Sequence, residues 1–124
     1  MSTVKEAAEE LLAVLGTVEG VRVYGDLGAN LSPPALLLGP PALGWRSFCG
    51  PAPTSARFVV FVVVDASARA LEELWELVPA VATAVEQGMP SAAVQDGSAA
   101  AMPTTWNIAG VELPAYQLTI EVDL

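Results

Sequence analysis

Apolar residues along the chain fall into four patterned stretches, and the period changes from one stretch to the next. Val4, Ala8, Leu11, Leu12 and Leu15 recur at helical spacing and predict an opening helix. Thr3 followed by Glu6 fits a capping box, in which hydroxyl and carboxylate satisfy each other's backbone donors. Gly16 and Gly20 bracket the helix end, and Val21 to Tyr24 predicts a short strand straight after. Arg57 to Val64 then reads RFVVFVVV. Its seven consecutive apolar residues predict a central strand, covered on both faces or by helices on one and a neighbouring subunit on the other. Leu71, Leu74, Trp75, Val78, Val81, Ala82 and Val85 trace a second amphipathic helix, with Glu72, Glu73, Glu76 and Thr83 opposite. Trp75 belongs to the core stripe on this pattern, and Pro79 is expected to bend the helix or divide it in two. In the last stretch Tyr116, Leu118, Ile120, Val122 and Leu124 alternate with Gln117, Thr119, Glu121 and Asp123. That period of two predicts a strand with one face in the core and one polar face.

The intervening segments are shorter. Gly25 to Asn30 is rich in turn formers, and Asp65 to Ala68 reads as a turn. Ala35 to Leu38 suits a short strand, but Pro33, Pro34, Pro40 and Pro41 fence it and predict an edge or strand end. Leu43 to Cys49 is a further candidate strand, running into the breaker cluster Gly50 to Pro53. Glu86 to Pro103 lacks periodicity and predicts a long loop with at most one short strand, around Ala92 to Gln95. Within it, Gly88 to Pro103 is expected to order only against a partner, with Met89 and Met102 supplying adaptable apolar contacts. Thr104 to Ile108 can pair with the last strand across an Ala109–Gly110 turn. The order predicts a single domain, residues 1–124, of class α+β: a mostly antiparallel sheet packed by two main helices.

Composition narrows the function. Of 124 residues 53% are hydrophobic and 15% charged, with 14 acidic residues, 5 basic ones and no histidine, for a formal charge of −9. A nucleic-acid clamp needs concentrated Lys and Arg, whereas Lys5, Arg22, Arg46, Arg57 and Arg69 are scattered. The uncharged run Leu27 to Trp45 holds four prolines and makes a poor membrane span, and the charged opening around Lys5 and Glu6 does not suit a signal peptide. A soluble protein with no membrane partner is expected. Its abundant, weakly charged apolar surface would be covered best in an assembly.

Chemistry is sparse. Without histidine a Ser-His-Asp or Cys-His arrangement is impossible, and a zinc site would need carboxylates plus Cys49 alone. Cys49 reads as a small buried hydrophobe, Glu72, Glu73 and Glu76 as a solvated helix face, and Asp65 as a turn or cap residue. Gly25 to Gly28 lacks the lysine of a phosphate loop, and Gly39 to Gly44 lacks GxGxxG spacing. No catalytic, cofactor or metal site is expected, and hence no enzyme. The Pro-fenced segment Pro33 to Trp45 is apolar and too proline-rich for internal sheet, so it is a candidate contact with a neighbouring subunit. A loop tucked over its own core is the alternative. The candidate interface residues are therefore Leu36, Leu37, Leu38, Leu43, Trp45, Met89, Met102 and Trp106. For the two tryptophans, buried loop anchoring stands equally open.

Five stretches carry a resemblance: LLAVLGTVEGVRVYGDLG, PPALLLGPPALGW, PAPTSARFVVFVVV, ALEELWELVPAVATAV and YQLTIEVDL. In this order the chain resembles the tail terminator proteins of long-tailed bacteriophages, in the form carried by phages of actinobacteria. The resemblance implies a small domain that closes into a hexameric ring on the tail tube protein, at the head-proximal end of the virion tail. Such a ring ends tube polymerisation, joins a head-completion or neck protein, and lets DNA pass through its lumen as cargo. It implies assembly in the host cytoplasm, no cofactor and no active site. Six copies at −9 give −54, a charge that would repel DNA rather than hold it. With sheets turned inward, Gln117, Thr119, Glu121 and Asp123 become the candidate lumen face, plain solvent exposure being the alternative. A head-to-tail connector or tail-completion neck protein of the same virion stays open as a second reading. A small ligand-binding domain is a third, to be marked by an enclosed pocket.

Overall fold

Thr3 starts helix α1 (Val4–Leu15) as its sequence predicts. Its Oγ1 accepts the Glu6 backbone N–H at 3.2 Å and donates to Glu6 Oε1 at 3.1 Å. The computed structural model describes residues 3–25, 31–46, 52–94, 100–108 and 110–124. Helix α1 buries Ala7, Leu11, Val14 and Leu15, while Val4 and Ala8 of the predicted stripe stay half-buried. Removing the cap with Thr3→Ala is expected to lower stability by about 1 kcal/mol, read as a shift in the denaturant midpoint.

Helix α2 (Ala70–Gly88) is a single helix of 19 residues, so Pro79 does not divide it. Pro79 lies on the solvent side, where water can satisfy the Trp75 carbonyl that its missing N–H leaves without a helical partner. Replacing Pro79 by alanine is expected to raise stability by up to about 3 kcal/mol, visible as a higher denaturant midpoint with unchanged slope. The buried stripe of α2 is Ala70, Leu74, Val81 and Val85. Trp75 is not part of it: the residue is 59% exposed, and Leu71 is 53% exposed. At about 100° per residue Trp75 stands roughly 120° round the helix from Val81, outside the arc that meets the sheet. Gly88 ends α2 close to α1, where an added Cβ would lie 3.0 Å from a Val14 methyl.

Among the described residues seven strands form one sheet: β1 (Arg22–Tyr24), β2 (Ala35–Leu38), β3 (Ala42–Gly44), β4 (Ser55–Val63), β5 (Ala92–Val94), β6 (Ala101–Ile108) and β7 (Val111–Asp123). The order is β1-β2-β4-β7-β5, with β3 also on β4 and β6 also on β7. Only β1 on β2 is parallel among the described pairings; the rest are antiparallel. The domain is thus α+β, a mostly antiparallel mixed sheet with two helices. Both helices lie on one side, over Leu36, Leu38, Phe58, Val60, Val62, Leu118, Ile120 and Val122.

Strand β2, the first part of the Pro-fenced segment, is interior sheet, against expectation, whereas β3 lies at an edge. Leu38 pairs with Val60, and Ala42 with Arg57, so three residues, Gly39 to Pro41, face two on β4. This bulge absorbs Pro40 and Pro41, while Pro33 and Pro34 precede β2, so no proline interrupts a ladder bond. β2 can therefore lie between β1 and β4. Strand β4 is central, as its apolar run predicts.

The described parts of the predicted loop, 88–94 and 100–103, are more ordered than their composition suggests. Met89 is 1% exposed, β5 pairs with the end of β7, and β6 begins at Ala101. The expected β6–β7 hairpin is present, with Ile108 opposite Val111. Gly110 takes φ +85° in its turn, a conformation only glycine adopts freely, and the Asn107 side chain accepts the Gly110 N–H at 3.1 Å. Because Val63 pairs with Ala115, the hairpin beyond that point extends past the end of β4 as an arm. Residues 26–30 of the predicted turn, 47–49 of the predicted strand, Cys49 among them, Gly50 and Pro51 of the breaker cluster, 95–99 of the predicted loop and Ala109 of the predicted hairpin turn lie outside the described residues.

Candidate interaction surfaces

The sheet face away from the helices is graded from apolar to charged. In the β4–β7 register its rows are Val63 with Ala115, Phe61 with Gln117, Val59 with Thr119, Arg57 with Glu121, and Ser55 with Asp123. At the apolar end Leu31, Ala35, Leu37, Val63, Leu113 and Ala115 form a second, smaller core. Phe61 and Trp106 partly cover it, their rings 5.1 Å apart and tilted by 53°. At the other end Arg57 approaches Glu121 at 3.8 Å and Arg46 approaches Asp123 at 3.5 Å. All four side chains are about half exposed or more, so each pair contributes little to stability.

The four candidate lumen residues are brought together, as the alternation along β7 predicts. Gln117 and Thr119 are half-buried, Glu121 and Asp123 exposed, and all share this face. What the sequence pattern missed is the arginine beside each acid. Arg46 and Asp123 are 77 positions apart, and the registers of β3 on β4 and of β4 on β7 together join them.

The eight candidate interface residues do not form one surface. Leu36 and Leu37 are fully buried, Leu38 is 6% exposed and Met89 1%, all within the subunit's own core, so those four assignments are corrected. The bulge that makes β2 an interior strand is the reason for the leucines, and the α2 C-terminus packing on β5 is the reason for Met89. Leu43 and Trp45 are exposed at β3, on one edge of the sheet. Met102 is exposed and Trp106 half-buried on β6, at the opposite edge. Leu71, Trp75 and Val111 are exposed large hydrophobics that the sequence reading did not assign to a surface. For Trp75 the signal was available in its angle from the Leu74–Val81–Val85 stripe.

Clefts line α2 where the Thr17–Gly20 turn crosses it. One of about 410 Å³ has Val18, Val21, Val64 and Leu77 as its apolar floor and Glu19, Glu73 and Glu76 along its rim. The neighbouring cleft, about 610 Å³, runs past Pro79, Thr83 and Gln87. Both open broadly to solvent. Among the described residues no three acidic or cysteine side chains converge on a common metal position, and no helix is long and apolar enough to cross a membrane. Comparison with known proteins finds no family model that matches the chain and no matching curated protein.

Proposed function

We propose that this chain is a structural subunit, acting by self-assembly rather than by catalysis. The observation that carries the reading is the sheet face opposite the helices. No described helix packs on it, its apolar end holds Phe61 and Trp106 half-buried, and its charged end is open. A face so graded suits an assembly, where a neighbour covers the apolar end and water or a channel meets the charged one.

More particularly, the subunit is that of a tail terminator ring of a long-tailed bacteriophage. Six copies close on the last ring of tube protein, end its polymerisation and present the seat for the neck, and DNA passes through the centre. Three features support this. The chain resembles that family along nearly its whole length, its acidity suits a conduit that must not retain DNA, and such a ring requires no catalytic group. The open clefts along α2 give little support to a small-ligand domain, which would enclose its ligand.

A reconstruction of the intact neck and tail tests the reading. Expected is a sixfold layer of this subunit seated directly on the tube. A sixfold layer one tier higher would make it a head-to-tail connector, and threefold or dimeric packing would overturn the ring.

A further inference from the structure

The geometry points to the groove along α2 as the seat of a basic, apolar helix from another protein. Glu73, Leu77, Ala80, Ala84 and Gln87 recur every three or four residues, so they form one stripe on α2. The Thr17–Gly20 turn runs beside this stripe, and the two clefts between them share Val18, Glu19 and Ala80. The clefts therefore join into one groove, about 21 Å long from Glu73 to Gln87 at the rise of a helix. At its middle Ala80 is exposed and Ala84 half-buried, and these small side chains let a second helix lie close.

The floor of the groove is apolar and its rim is acidic. Val18, Val21 and Leu77 are half-buried over the buried Val64, and Glu19, Glu73 and Glu76 are exposed around them. Among the described residues none of these three carboxylates belongs to an ion pair. The five basic side chains of the chain all lie or pair elsewhere. Arg46 and Arg57 pair with acids on the far sheet face, and Arg69, one turn before Glu73, is held by Glu72 at 3.2 Å. Arg22 alternates with Val21 and Val23, which pack under the helices, so it points to the other face with Tyr24. Lys5 starts α1, whose Ala8 and Leu12 line a cleft with Leu38 and Phe58, at the opposite end of β2 from Pro34.

The subunit thus leaves three negative charges around an apolar floor, with no basic side chain of its own to meet them. A lysine or arginine of a partner suits that arrangement, its stem lying on Val18 and Leu77 and its head among the carboxylates. Apolar side chains further along the same partner helix fill the second cleft, beside Pro79 and Thr83. Phosphate-bearing partners, nucleic acid and anionic lipid alike, are repelled by the same rim. A second copy is a poor occupant, because it brings −9 and three of its five cations are already paired. The groove lies apart from the sheet face on which the ring reading rests, so this proposal stands without that reading.

The probe is a fluorescently labelled, capped, alanine-rich peptide helix of about fourteen residues, matching the groove, with leucine and arginine along one face. Anisotropy titrations with the full chain are expected to show saturable binding that weakens as salt rises. Glu19→Gln with Glu73→Gln and Glu76→Gln removes the rim charge and should weaken binding at least about tenfold. Ala80→Trp keeps every charge but fills the groove, and it too should weaken binding at least about tenfold. Glu6→Gln with Glu9→Gln and Glu10→Gln makes the same charge change on exposed positions of α1 and should leave the affinity within about twofold. A peptide with serine for leucine should bind more weakly, and one with glutamate for arginine not at all. Unchanged circular dichroism and denaturant midpoint check the fold of every variant.

No binding to wild type, binding that survives both groove changes, or an equal loss from the α1 control would each overturn the proposal. Wild type that self-associates in sedimentation velocity, and ceases to do so with Ala80→Trp, would give the groove to a second copy and overturn it as well. A sixfold layer in the virion without peptide binding in the groove would sink this inference alone. Peptide binding in the groove with no sixfold layer would sink the ring reading alone.

Discussion

Replacing Phe58 by alanine should cost the isolated subunit about 3–5 kcal/mol, a large share of the roughly 5–15 kcal/mol that holds a domain together. Phe58 is 1% exposed, sits on the central strand and faces both helices, so its removal leaves a cavity between packed layers. Phe61, three residues on, faces the other way and is only half-buried, with Trp106 as its ring neighbour. Phe61→Ala should cost roughly half as much in the isolated subunit, because less of the ring leaves water on folding. Urea unfolding of both variants, compared by midpoint at equal slope, separates the two faces. Equal losses would mean that the outer face is as fully packed as the inner one, and that the subunit has no open face to offer an assembly.

That asymmetry explains which elements were legible in the sequence. The capped start of α1, the apolar run of β4 and the alternation of β7 are local signals, each contained within one turn or one strand. The β6–β7 hairpin was legible for the same reason: its partners meet across a two-residue turn ending in Gly110. β2 was misjudged because its prolines are tolerated through a bulge, and a bulge exists only relative to β4, some twenty residues further along. Trp75 was misjudged because its apolar ring was counted without its angle to the sheet. The candidate surface divides in the same way. The face carrying Gln117, Thr119, Glu121 and Asp123 followed from period two, but the arginines beside two of them depended on strand register. The leucines of β2 looked available only because their own sheet neighbours were unknown.

Changing Glu121 and Asp123 together to lysine should leave folding nearly intact and alter the passage of DNA. Both acids are exposed, and their arginine partners lie 3.8 and 3.5 Å away on side chains that are themselves open to water. Such pairs contribute at most about 1 kcal/mol each, so the denaturant midpoint should move little even though each lysine then faces an arginine. The electrostatic change is larger. Each subunit goes from −9 to −5, and the charged end of the sheet face changes from two neutralised pairs to four adjacent cations. On the proposed ring with this face lining the lumen, six copies go from −54 to −30, and the cations form a belt facing the phosphates. Each phosphate held releases condensed counterions, so DNA retention should be strongest at low salt and should fade steeply as salt rises. Particles carrying the double variant should assemble normally, eject DNA slowly at low ionic strength, and recover the wild-type rate at high ionic strength. Glu9→Lys with Glu10→Lys makes the same charge change on exposed positions of α1, away from this face, and should leave ejection unaltered. An equal slowing from that control would assign the effect to net charge alone, and an unchanged rate and salt dependence in the sheet-face variant would remove Glu121 and Asp123 from the lumen.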